Sequence, residues 1–449
     1  MRIITLFCTA VLFTACAGKS DSGVLEDSGG SDDSGSDSGD TGDGSGGDTS
    51  LDDITPTFST TLVGTNQTLC YDAAGEITCP DTGADFYGQD AQHAGASPTY
   101  TVTDDLVRDD LTGLVWQRAQ IDGMAWSDAE AYCGALDLGG RTDWRVPSTK
   151  ELYSLIDFSG STGNGSNDYS EVPDNAVPYI DTDAFDFSYG DVSAGERYID
   201  TQFITTTVYV SMVFADDHGE SAGQEAFFGV NLADGRIKGY PTGTGTYQLR
   251  CVSGHDSYGA NDLEDQGDGT VMDHATGRMW TQTDSAGLGA GPEGTGTLDW
   301  PSALEFCEDL DLAGHTDWRL PDAKELQALV DYSRSPDTTG SAAISAVFDA
   351  TPIVNEAGDD DFGWYWSSTT HLDGMVMGAD AIYVAFGQAL GYAAAPGESD
   401  TMFMDVHGAG AQRGDPKVGS PDEYPQWGMG PQGDVRRVHN LARCVRTAE

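Results

Sequence analysis

Thr142-Asp143-Trp144-Arg145-Val146-Pro147 returns downstream as Thr316-Asp317-Trp318-Arg319-Leu320-Pro321, and this recurrence decides the architecture. Working outward, each copy has a Cys before the Trp (Cys133, Cys307) and a Lys-Glu-Leu just after the Pro (Lys150 to Leu152, Lys324 to Leu326). All three landmarks lie 174 residues apart. An upstream element, Leu111-Thr-Gly-Leu-Val-Trp116, returns as Ala275-Thr-Gly-Arg-Met-Trp280, only 164 residues on. The Gly-rich stretch 286–296 absorbs the difference as a loop insertion in the second copy. Each copy closes on Arg-Cys-Val, at Arg250-Cys251-Val252 and Arg443-Cys444-Val445. Landmarks repeated in fixed order are the mark of a duplicated unit.

Local patterns give the elements. Trp126, Ala129, Cys133 and Leu136 share one face of a helix. Ser148-x-x-Glu151 and Asp322-x-x-Glu325, each directly after a Pro, are capping boxes that start helices burying Leu152, Leu155 and Ile156, or Leu326, Leu329 and Val330. Farther on the pattern becomes that of strands, at 203–210, 227–230 and 382–386, separated by Gly and Asp turns. The expected class is α+β: two tandem domains, 56–254 and 255–449, each with two helices and a strand-rich half.

The chain carries 74 acidic and 21 basic residues, a formal net charge of −53 over 449 residues. Nucleic-acid affinity comes mainly from Lys and Arg, so a phosphate-backbone binder is excluded as a function class. The same field disfavours strongly sulfated polymers and anionic head groups. It is compatible with Ca2+, although acidity also serves solubility alone. At the N-terminus, Arg2 and the apolar run from Ile3 to Phe13 read as a targeting segment, too short to span a bilayer. Phe13-Thr14-Ala15-Cys16 resembles a bacterial lipobox. That resemblance implies a signal peptide over 1–15, lipidation of Cys16 and, with Ala17 following, an outer-membrane, surface-exposed lipoprotein. A plain secretory signal is the other reading. Residues 16–55 are nearly all Gly, Ser, Asp and Thr; they bury too little apolar surface to order and read as an acidic linker.

Eight cysteines in an exported chain point to disulfides. With Cys8 in the signal and Cys16 lipidated, Cys133 and Cys251 occupy the same places as Cys307 and Cys444, while Cys70 and Cys79 sit close together. Three bridges follow, and the two long ones each stabilise by roughly 4–5 kcal/mol on the chain-entropy account. A zinc site is the competing reading, but there is no C-x-x-C and no His at zinc spacing.

The Thr-Gly-Leu-Val-Trp element, the Ala-x-x-Tyr-Cys helix, Gly-Gly-x-x-Asp-Trp-Arg-Val-Pro, Lys-Glu-Leu and the closing Arg-Cys-Val together resemble the Lcl C-terminal domain family. Trp-Arg-Leu-Pro before a helix also resembles the formylglycine-generating enzymes. The resemblance implies a C-type-lectin-like fold in each copy and a surface binding or adhesion role, with glycans as a plausible target.

The candidate site residues follow. Trp364, Tyr365 and Trp366 form an aromatic strand peculiar to the second copy; the first has Gln202-Phe-Ile-Thr there. They read as a sugar platform or as core. Asp359, Asp360 and Asp361 precede that strand, and Asp262, Glu264, Asp265 and Asp268 form a second acidic cluster; either is a Ca2+ site or a solvated turn. Trp116, Trp144, Trp280 and Trp318 belong to the repeated scaffold and read as core. Arg145 and Arg319 are expected to bond backbone or the neighbouring Asp143 and Asp317. The long stretches 160–191 and 391–434 are the expected binding surface, with the second copy favoured. No H-E-x-x-H, G-x-S-x-G or phosphate loop is present, so no catalytic residue is assigned. The expectation is a non-catalytic binding module for an extracellular glycan or protein, held to the membrane by lipid alone. A structural envelope protein and an enzyme of unassigned type are the alternatives.

Overall fold

Both capping boxes form. The Ser148 side chain accepts from the Glu151 N–H and Glu151 reaches back to the Ser148 N–H, starting helix α2 (Thr149–Tyr153). Asp322 and Glu325 do the same for α4 (Ala323–Ala328). Each follows a nine-residue Cys-bearing helix, α1 (Trp126–Gly134) and α3 (Trp300–Glu308). A computed structural model describes residues 62–163, 169–215, 221–395, 399–424, 428–429 and 432–448. The targeting segment, Cys16 and the acidic linker lie outside them.

The second pair of helices is shorter than the periodicity suggests. Leu155, Ile156, Leu329 and Val330 are buried as expected, but they lie beyond the last helical turn. The run 203–210 is not one strand either. The ladder is interrupted at Thr205 and Thr206, which bond elsewhere (Thr206 N–H to Pro147 C=O at 2.9 Å and the Thr205 hydroxyl to Phe228 C=O at 2.7 Å), and pairing resumes where Val208 lies opposite Phe227. The Arg side chains of the Trp-Arg pairs reach backbone as expected, at His255 C=O (2.6 Å) and Leu320 C=O (3.4 Å), but their carboxylate partner is not the neighbouring aspartate. Arg145 forks onto Glu151 at 2.8 and 2.5 Å, and Arg319 onto Glu325 at 2.7 and 2.7 Å. Each guanidinium thus braces the capping carboxylate of the helix behind it, a bidentate geometry that Lys could not supply.

The main sheet has eight strands: β1 (Ile121–Met124), β2 (Gln202–Phe203), β3 (Ala226–Asn231), β4 (Arg236–Pro241), β5 (Tyr247–Leu249), β6 (Trp364–His371), β7 (Asp380–Ala385) and β8 (Gln412–Pro416). Their spatial order is β6-β7-β8-β4-β3-β2-β5-β1. The first copy supplies β1 to β5 and the second β6 to β8, so one sheet runs through both. The seam is β4 against β8, antiparallel, with Ile237 opposite Gln412. Those two residues are equivalent: Ile237 pairs with Val230, itself opposite Phe203, and Gln412 pairs with Val384, itself opposite Tyr365. A position facing its own counterpart marks a pseudo-two-fold axis, the internal form of an isologous contact.

The Lys-Glu-Leu lysines obey the same axis. Lys150 Nζ donates to Ala328 C=O at 2.7 Å, and Lys324 Nζ donates to Ser154 C=O at 2.8 Å. Each ammonium therefore caps the C-terminal end of the other copy's helix, where the unpaired carbonyls favour a cation. Charges also cross near the seam. Arg236 of β4 pairs with Asp373 of the second copy, whose other oxygen accepts from the Thr162 hydroxyl of the first at 2.7 Å. Burial alone would raise the Asp373 carboxyl; Arg236 outweighs it and holds it far below the ordinary range. The two copies are thus one continuous body rather than separate beads, and the described residues fall in one compact unit.

Each copy keeps a small four-stranded sheet ended by its Arg-Cys-Val segment, with Val252 opposite Trp116 and Val445 opposite Trp280. Disulfides join Cys133 to Cys251, Cys307 to Cys444 and Cys70 to Cys79. The equivalent arginines Arg250 and Arg443 are fully buried, over the rings of Phe203 and Tyr365 respectively. The protein is therefore strand-rich α+β with a disulfide closing each copy. Among the described residues no helix is long and apolar enough to cross a membrane.

Candidate functional site

A depression of about 800 Å³ lies on the first copy at the outer end of the main sheet. Asp122 and Gly123 of β1, Gln202 of β2 and Gln248 of β5 line its floor. The chain from Ser188 to Asp191, with Glu196 and Asp200, forms its wall. That wall is held locally. Asp191 caps a short turn by accepting from the Ser193 hydroxyl at 2.6 Å and from the Ser193 and Ala194 N–H groups, which lowers its carboxyl below the ordinary value. Glu196 accepts from the Asp191 N–H at 2.8 Å, and Asp200 is paired with Arg197. Behind them Tyr189 packs edge-on against Phe187 and Tyr198, at 5.0 and 5.7 Å between centroids. Burial pushes the Tyr189 hydroxyl up to about 12. The cleft thus presents carboxylates and amides beside an aromatic wall. It offers many acceptors, few cations, and a field that repels anions.

In the second copy the equivalent position is filled. The strand registers make Trp364 the counterpart of Gln202. Its indole is 1% exposed, stacks on Tyr383 at 4.4 Å and lies 3.8 Å from the Arg437 guanidinium. Arg437 in turn forks onto Glu356 at 2.9 and 2.9 Å. Tyr365 is equally buried and donates to Asp284 at 2.6 Å, while Trp366 donates to Leu298 C=O at 2.8 Å. Trp364, Tyr365 and Trp366 therefore present no free ring face to a sugar; they are core, because both faces of this strand are covered. The four scaffold tryptophans 116, 144, 280 and 318 are core as well.

The acidic triplet does not converge. Asp360 is exposed, and Asp361 is buried, where it accepts from the Phe362 and Gln388 N–H groups at 2.7 and 3.1 Å. In the other cluster Asp265 and Asp268 turn inward to the Gly267 N–H and the Thr270 hydroxyl, and Glu264 meets His274 at 2.8 Å. Among the described residues no group of three or more His, Cys, Asp or Glu side chains is placed to hold a metal ion. The stretch 160–191 contributes Ser188 to Asp191 to the cleft. The stretch 391–434 holds a strand at Thr401–Asp405 and β8, and does not line this cleft. The open cleft thus lies in the first copy, opposite to the sequence expectation. The missed residues Asp122, Tyr189, Glu196, Asp200, Gln202 and Gln248 left one signal, the small amide at 202 where the duplicate has an indole.

Two units with a capping carboxylate braced by the Trp-Arg pair, and a helix Cys tied to an Arg-Cys-Val strand, define a duplicated disulfide-closed module. The chain belongs to the Lcl C-terminal domain family, which matches residues 105–253 and 269–404, more than half of its length. The second match stops short of Cys444, yet the structure carries that copy through to the same closing strand. No curated protein and no solved structure gives a match.

Proposed function

We propose that this protein is a non-catalytic binding module of the bacterial cell envelope, anchored through lipidated Cys16, whose first copy takes a neutral or amine-bearing glycan in the cleft beside Gln202. The observation that carries this is the contrast between duplicates: one scaffold plugged by Trp364, the other left open over Gln202, Gln248 and Tyr189. Sugar hydroxyls are donors that carboxylate and amide oxygens can accept, and a half-buried Tyr suits an apolar sugar face. The carboxylates argue against sulfated or uronic polymers as ligands. The helix Cys tied to the closing strand supports a C-type-lectin-related ancestry for each copy, and fold alone does not name the ligand.

The test is a glycan array on the full-length protein, with and without Ca2+, followed by calorimetry on any hit. Gln202→Trp, which installs the second copy's plug, is expected to reduce affinity by roughly ten-fold or more, as blocking a central contact does. Absence of binding to every neutral and amino sugar under both conditions refutes the glycan reading and leaves a structural role. Metabolic labelling with a fatty-acid analogue checks the anchor: label is expected on the native chain and absent from Cys16→Ala.

A further inference from the structure

The copies differ again over the start of α1 and α3. In the second, Trp300, Leu304 and Leu320 are fully buried, and Ser368 and Asp322 nearly so. Their cover is the chain's own N-terminal extension. The Phe86 ring sits 6.1 Å from that of Trp300. The Asp90 carboxylate accepts from the Thr369 hydroxyl at 2.5 Å, and His93 Nε2 meets Glu308 at 2.7 Å. A Cβ added at Gly95 would lie 3.7 Å from the Asp322 carboxylate.

The first copy builds the same frame. Trp126 Nε1 donates to Thr205 C=O as Trp300 Nε1 does to Ser367 C=O. Thr206 N–H donates to Pro147 C=O as Ser368 N–H does to Pro321 C=O. Thr149 N–H donates to the Thr207 hydroxyl as Ala323 N–H does to that of Thr369. Yet this frame is open. Trp126 and Ser148 are half-exposed, and Glu130 and Thr206 exposed, where their counterparts Trp300, Asp322, Leu304 and Ser368 are buried. A depression of about 410 Å³ runs between Arg145, Val146, Thr206 and Glu130, and continues over Trp126 into a second of about 80 Å³ that shares Glu130, Val146 and Thr206. Val208 extends the strip, 42% exposed.

We propose that this face of the first copy is a docking site for a partner peptide carrying an aromatic ring four residues before a carboxylate. The template is the chain itself: Phe86 and Asp90 are that pair, seated on the equivalent face. The partner's ring lies against Trp126, and its carboxylate accepts a hydrogen bond from the Thr207 hydroxyl beside Arg145, whose side chain is 30% exposed against 12% for Arg319. Glu130 marks the specificity difference. It stands where the second copy has Leu304, so this site admits a segment with a donor or a cation near its ring, whereas the second copy's face is apolar there.

The probe is a fluorescein-labelled peptide of residues 84–96, titrated into the full-length chain and read by anisotropy. Saturable one-to-one binding is expected. Thr206→Arg on the rim reduces affinity by roughly ten-fold or more, while Glu130→Leu, restoring the apolar contact of the template, raises it roughly three-fold or more. Phe86→Ala or Asp90→Asn in the peptide alone weakens binding, and Gln202→Trp in the protein leaves it unchanged, which separates this site from the glycan cleft. Thermal unfolding of the three protein variants verifies that they fold. The proposal is overturned by an absence of saturable binding. It is also overturned by binding indifferent to both substitutions, which would place the peptide on the second copy by displacement of its own segment.

Discussion

Lys324→Met tests the reciprocal lysine contact. In the native protein Lys324 is 3% exposed, and its ammonium donates to Ser154 C=O and Gly64 C=O at 2.8 and 2.9 Å. Burial lowers its pKa to about 8, against the partial opposition of Asp322. Two hydrogen bonds from a charged donor are worth roughly 3–6 kcal/mol together. Against that, a displacement from about 10.5 to about 8 costs about 3 kcal/mol at ~1.4 kcal/mol per unit. Methionine therefore loses the bonds and escapes the charge penalty, and the net loss at pH 7 is roughly 0–3 kcal/mol. The pH dependence is sharper. Between about 8 and 10.5 the unfolded lysine holds a proton that the folded one has released, so native stability rises with pH across that window. Above it the neutral amine still donates to the two carbonyls, without the penalty. The stability gap between native protein and variant should widen by about 3 kcal/mol from pH 7 to pH 10.5, measured by urea unfolding at each pH. A gap that stays flat or narrows would refute the placement of Lys324 as a buried, carbonyl-bound cation. Because the contact lies between copies, unfolding should remain one transition in both proteins.

Removing the Cys133–Cys251 bridge by paired Ser substitutions should lower stability by about 5 kcal/mol, and removing Cys70–Cys79 by about 2.5 kcal/mol, since the closed loops span 118 and 9 residues. Denaturant titration checks both, and equal losses would contradict the loop-length argument. Burial, aided by Asp337, raises the Asp405 carboxyl to about 7. Its protonated form therefore stabilises the fold below the unfolded value near 4, and that contribution is lost as pH rises through about 7. Relative to Asp405→Asn, the native protein should lose about 4 kcal/mol between pH 4 and pH 7.5, and a gap independent of pH would count against a buried neutral carboxyl.

Much of this molecule is local and therefore legible in one dimension. The capping boxes at Ser148 and Asp322 need only side chains three residues apart. The Cys133 helix follows from a period, its Cys307 counterpart from the repeat, and the duplication from residues in fixed order. The disulfide partners could be paired because each copy repeats the other's arrangement. None of those inferences needs to know what lies across the fold. The chemistry of the site does. Trp364 and Trp366 look like a binding platform along the strand, and only the packing of Tyr383, Arg437 and Gln388 against Trp364, and the bond of Trp366 to Leu298 C=O, turn them into core.

The sequence by itself determined that there are two related units, where their helices begin and how their thiols pair. Tertiary structure alone decided that the units share a sheet across β4 and β8, that each lysine of the pair caps the other copy's helix, and which copy keeps an open cleft. The physical reason is range. Capping and periodicity act over three or four residues, while burial depends on neighbours hundreds of residues away, as Lys324 on Gly64 and Lys417 on Tyr71 make plain.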